Sequence, residues 1–107
     1  MATAELALAI PAVVLVLVVS LAAIAAGVDQ VRCVDAARAA ARSLARGDAV
    51  GVAQGLARGA GPPGASVSVG VSGELARATV SVPRSFPILG FSWVIRASAV
   101  APREGAP

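Results

Sequence analysis

From Leu6 to Val28 no charged side chain interrupts the chain, and Ser20 is the one polar side chain in the run LALAIPAVVLVLVVSLAAIAAGV. At about 1.5 Å per helical residue these 23 residues reach roughly 34 Å, enough to cross a hydrocarbon core of about 30 Å. The pattern predicts a transmembrane helix. A helix apolar on every face can also be buried in a soluble core, but the rest of this chain is too small to wrap one. Pro11 lies inside the run, removes one backbone donor and crowds the carbonyl of Ala7. A kink or local melting is expected there, although membrane helices tolerate proline.

The helical pattern continues beyond the apolar run. Residues 29–46, DQVRCVDAARAAARSLAR, contain no Pro or Gly and are rich in Ala and Arg, both good helix formers. Val31, Val34, Ala37, Ala41, Leu44 and Ala45 form one apolar stripe at helical spacing. Arg38, Arg42 and Arg46 recur four apart on another face, and Asp35 is spaced to pair with Arg38. One helix from about Thr3 to Arg46 is expected, roughly 65 Å long, with Gly47 as its stop. The arginine row reads as a solvated face, as a contact for anionic headgroups, or as a surface for a partner. Cys33 reads as a small packed residue or as one half of an intermolecular disulfide.

A short second helix over 48–58 follows, with Asp48 as its cap and Val52 and Leu56 on its apolar side. Gly59-Ala60-Gly61-Pro62-Pro63-Gly64 then breaks the chain into a loop. Beyond it the period changes from helical to two. Val67, Val69 and Val71 alternate with small polar positions, and Ala76, Ala78, Val80 and Val82 alternate with Arg77, Thr79 and Ser81. Ser72-Gly73 supplies the turn of a hairpin over about 66–83. Pro83 and Pro87 bound a loop holding Phe86, with Ile88 and Leu89 after it. A third strand over about 91–101 puts Trp93, Ile95, Ala97 and Ala99 on one face, and the tail from Pro102 is expected to fray. The fold class is therefore α+β: a long helix, a short helix and a small antiparallel sheet of about three strands. Such a sheet needs a cover for its apolar face, and the extended helix provides one through Val34, Ala37, Ala41 and Leu44. Phe86, Phe91 and Trp93 either anchor that packing or mark an interface.

Composition narrows the functions open to this chain. It has 107 residues, 57% hydrophobic and 14% charged, with one Cys and no His. Without His there is no Ser-His-Asp triad, and one Cys cannot build a zinc site or an internal disulfide. GAGPPG lacks the Lys of a phosphate loop, and its prolines remove amide donors. No catalytic or metal-ligating constellation emerges, so no enzymatic activity, cofactor or small-molecule substrate is expected. Residues 1–28 carry only Glu5, and residues 29–107 carry nine Arg against five acids, so the two parts hold −1 and +4 of the net +3. The aromatics stand apart from the arginine-rich stretch, which argues against nucleic-acid binding. Basic residues after the span and none before it would place the C-terminal part in the cytoplasm by the positive-inside rule.

Taken together, Met1-Ala2-Thr3-Ala4-Glu5-Leu6-Ala7-Leu8-Ala9-Ile10-Pro11 resembles the start of a mature TadE-like pilin, a minor pilin or pseudopilin of tight-adherence (Flp-type) pilus systems. The likeness rests on Glu at position five, a short apolar spacer, Pro six residues after the Glu, and a Val/Leu-rich span. It covers the first 30 residues well and the layout more loosely. Major Flp pilins are shorter and carry Tyr after the Glu; Leu6 and the long C-terminal part point to the minor subunits. The resemblance implies cleavage of a basic leader before Met1 by a prepilin peptidase, which would remove the topology conflict. It implies a free Met1 amine for Glu5 of a neighbouring chain to pair with, so Met1, Glu5 and Pro11 are the assembly and processing residues. It also implies an assembly segment over 1–28 in the bacterial cytoplasmic membrane and an extracytoplasmic head over 29–107. The partners would be membrane lipid, other pilin subunits and the pilus assembly machinery. Two other readings stay open: a membrane-anchored structural or adaptor protein unrelated to pili, and a small secreted protein cleaved near Ala23-Ile24-Ala25. The latter lacks a positive n-region and has an apolar run longer than usual.

Overall fold

The computed structural model describes residues 2–86 and 90–103. The fold is α+β. Helix α1 (Ala2–Ala45) and helix α2 (Val50–Ala60) precede strands β1 (Ser66–Ser72), β2 (Leu75–Phe86) and β3 (Phe91–Pro102). The strands form one antiparallel sheet in the order β1-β2-β3. The molecule is a rod of 77 × 19 × 19 Å.

Helix α1 has two unlike halves. It runs unbroken through Pro11, so the helix does not melt there. No described residue up to Val28 is buried, and the 18-residue window of mean hydropathy 2.9 has 0% of its residues buried. That exposure removes the buried-core alternative for this half and leaves a candidate membrane span. From Cys33 onward one face is covered: Cys33, Ala36, Ala37, Ala40, Ala41 and Leu44 are buried and Val34 is half-buried. Val31, expected on the covered stripe, is instead exposed, and the covered face passes through Cys33, Ala37 and Ala41.

Helix α1 ends in a Schellman motif. Gly47 takes φ +93°, its N–H donates to the Leu44 carbonyl at 3.0 Å, and the Asp48 N–H donates to the Ser43 carbonyl at 3.1 Å. The Asp48 carboxylate accepts from Ser43 Oγ at 2.8 Å and from Arg46 at 3.3 Å. It is thus held at the end of α1 and does not cap α2, whose N-cap is Ala49 with no side-chain hydrogen bond. The inward face of α2 also differs from expectation. Ala53 and Ala57 are buried, whereas Val52 and Leu56 face outward, Val52 at 53% exposure. Both pairs share the i,i+4 spacing; the smaller pair lets the two helix backbones approach more closely.

The sheet follows the alternation. Ala76, Ala78, Val80 and Val82 of β2 and Ile95 and Ala97 of β3 are buried beneath α1. Val67, Val69, Trp93 and Ala99 pack at the margin. Ser72 pairs with Leu75, so the tight turn is Gly73-Glu74, one residue later than expected, with Gly73 at φ +61°. Strand β2 continues through Pro83 to Phe86, beyond the expected end of the hairpin. Its last residue paired with β1 is Ser81, opposite Ser66, so at Pro83 one edge is already free, which is where a strand accepts a residue without an N–H.

Candidate functional site

Strand β1 has seven residues, while β2 and β3 have twelve each. The surplus, residues 82–86 paired with 91–95, is a two-stranded ribbon that runs on past β1 along α1. Its path leads from the head to the apolar half of α1. Two sets of side chains hold it there.

The first is an ion pair across 55 residues of sequence. Arg84 on β2 grips Asp29 on α1 with two prongs: Nε donates to Oδ2 at 2.7 Å and Nη2 to Oδ1 at 3.2 Å. The third nitrogen, Nη1, reaches the Pro63 carbonyl at 3.5 Å, so one side chain ties β2, α1 and the proline loop together. Asp29 is largely covered, at 13% side-chain exposure against 31% for Arg84. A forked arginine–carboxylate contact fixes geometry as well as charge. The hydrogen bond from Arg84 holds the Asp29 carboxyl below the ordinary aspartate range, against the opposing effect of burial, and Asp29 in turn raises Arg84. Beside them Gln30 Nε2 donates to the Arg96 carbonyl at 3.4 Å.

The sign of the Asp29 shift sets a pH dependence. A carboxyl whose pKa is depressed by folding stabilises the folded form above its unfolded pKa and loses that stabilisation as the pH falls through the folded value. The window therefore lies below about pH 4. Acid titration of the full chain in detergent, followed by its single tryptophan, should show this loss. Asp29→Asn should lie below the native chain in urea midpoint at pH 7 and converge with it towards pH 2. A constant gap across that range would rule out the pair as its source.

The second set is aromatic. Phe86, Phe91 and Trp93 at the end of the ribbon face Val19, Ala22 and Ala23 of α1 across an open cleft of about 460 Å³ with no charged lining residue. Phe91 and Trp93 meet at 5.8 Å between ring centroids, tilted by 38°. Phe91 is 62% exposed, and Trp93 and Phe86 are half-buried. Of the two readings open for this trio, the buried core contains none of them; Trp93 packs at its margin, and all three line the cleft. The Trp93 Nε1 atom is covered and has no hydrogen-bond partner among the described residues.

The assembly residues lie at the other end of the rod. Glu5 is exposed in the first turn of α1, where a carboxylate suits the helix dipole. Pro11 is likewise exposed, and Met1 lies outside the described residues. The structure does not bring Glu5 or Pro11 near the aromatic trio. Arg38, Arg42 and Arg46 all face outward; Arg46 reaches Asp48, and no bridge joins Asp35 to Arg38 among the described residues. The Cys33 thiol is fully buried, and burial, with Asp29 next in effect, pushes its pKa up, so it sits as a protonated packed group. No group of three or more Cys, Asp or Glu gathers as a metal site would require among the described residues.

Asp29 and Arg84 are the site residues that periodicity misses. Each looks like an ordinary surface charge in its own segment. The one local signal is that Asp29 is the first charge after the apolar run.

Comparison of the chain with protein-family models, with curated proteins and with solved structures finds no match.

Proposed function

We propose that the chain is a minor pilin or pseudopilin subunit of a tight-adherence (Flp-type) pilus, anchored by α1 and assembled through it into the filament or its initiating complex. The observation that carries this reading is the exposed half of α1: an apolar helix with one charged side chain, Glu5, in which no described residue up to Val28 is buried. A helix left uncovered by its own fold must be covered by lipid or by other helices. Successive occupancy by both is what a subunit passing from a membrane into a filament requires. The TadE-like pattern of Glu5 and Pro11 supports the choice of pilus over other helical assemblies. In this reading the head lies outside the cytoplasm, and a prepilin peptidase releases the Met1 amine.

Processing is the point of test. Mass spectrometry of the native protein should find Met1 as the mature N-terminus, with a basic leader ending in Gly encoded just upstream. A mature start near Ala26 would make the chain a secreted protein and overturn the proposal.

A further inference from the structure

We propose that the ribbon end is a second membrane contact: Phe86, Phe91 and Trp93 sit in the leaflet on the head side, and their cleft against α1 takes lipid acyl chains. The inference rests on α1 being a membrane span, but not on its being a pilin.

Depth carries the argument. The trio packs opposite Val19, Ala22 and Ala23. The apolar run begins at Leu6, directly after Glu5, and a hydrocarbon core takes about 20 helical residues. The placement nearest the N-terminus therefore ends at about Ala25. Even there Ala23 is about 3 Å and Val19 about 9 Å below the boundary, at about 1.5 Å per residue. Any placement further along the chain buries them more deeply. A ribbon packed against these residues must enter the bilayer with them.

The chemistry fits that depth. Six apolar residues line the cleft. Phe91 is 62% exposed among the described residues. Tryptophan suits the zone between headgroup and chain, and phenylalanine suits the acyl chains beneath it. Asp29 lies ten residues beyond Val19 on α1, about 15 Å further along the helix and so at headgroup height, and Arg84 meets it there. The polar pair and the apolar trio thus follow the polarity gradient of a leaflet. A second copy of the chain is the competing occupant, and what favours lipid is continuity with the span: one wall of the cleft is Val19, Ala22 and Ala23 of the apolar run itself.

Trp93 is the only tryptophan, so the native chain carries its own probe. The full chain would be reconstituted into phosphatidylcholine–phosphatidylglycerol vesicles with lipids brominated at shallow acyl positions in one set and at deep positions in another. Expected is a loss of about half of the Trp93 emission, with protection from aqueous acrylamide. The control is a Trp93→Phe chain carrying Leu15→Trp in mid-span. Acrylamide quenching of Trp93 without bromine quenching, while the Leu15→Trp control is bromine-quenched, would overturn the inference and leave the span intact. No bromine quenching of either would remove the span reading and the inference with it. Trp93 shielded from both quenchers would mean that another protein surface fills the cleft, which also overturns it.

Discussion

Glu5→Ala is expected to lower incorporation of the subunit into sheared filaments at least about tenfold, with its amount in the membrane unchanged. Glu5 is the only charged side chain in the first 28 residues, so no neighbouring side chain can substitute for it. In water an opposite charge about 4 Å away would matter little. Among packed helices, at an effective dielectric near 20, the same pair is about four times stronger. Leaving either member unpaired is penalised further, so the pair favours one register of neighbouring helices over others. Membrane insertion should survive, because removing a charge from an apolar helix favours insertion. Glu5→Asp, with a shorter reach, should fall between the two. Immunoblots of the sheared and membrane fractions read both quantities. Equal incorporation of native and Glu5→Ala chains would remove the assembly role.

Ala40→Leu is expected to destabilise the head by about 1–3 kcal/mol, a large share of what so small a core supplies. Ala40 has no exposed surface and lies in the layer shared by α1, α2 and the sheet. That layer is closely set: at Gly61, just past α2, an added Cβ would lie 3.5 Å from Ala36 Cβ and 3.0 Å from the Ala57 carbonyl. Three extra carbons at Ala40 have to push α2 or the sheet away. Urea unfolding followed by Trp93 emission measures the shift. Val52→Ala, on the outward face of α2, serves as the comparison and should change stability by no more than about 0.5 kcal/mol. Equal midpoints for Ala40→Leu and the native chain would show that the layer is loose.

Much of this architecture is legible in the chain. The long helix expected from Thr3 to Arg46 runs from Ala2 to Ala45, because an uninterrupted apolar run followed by Ala and Arg has no competing local structure. The alternations at Ala76–Val82 and Trp93–Ala99 define the buried sheet face because side-chain direction in a strand has a period of two. What was not legible depends on neighbours. Choosing Ala53 and Ala57 over Val52 and Leu56 requires knowing how near α1 lies, since hydrophobicity alone favours the larger pair. Pro83 reads as a strand end until β1 is seen to stop short of it. Asp29 and Arg84 meet only because the ribbon returns along α1, and their 55-residue separation leaves no periodic trace. The aromatic trio was legible as important but open in role, because packing and interface use the same residue types.

The alanine content of the core has a thermal consequence. Ten of the fifteen buried hydrophobic residues among those described are Ala. Alanine surrenders no rotamer freedom when it is buried, so ordering these side chains opposes folding hardly at all. It also withdraws little apolar area from water, and apolar area sets the heat-capacity change of unfolding. A small heat-capacity change flattens the curve of stability against temperature. The head should therefore lose stability slowly on either side of its optimum, resisting cold as well as modest warming, although its maximum is low.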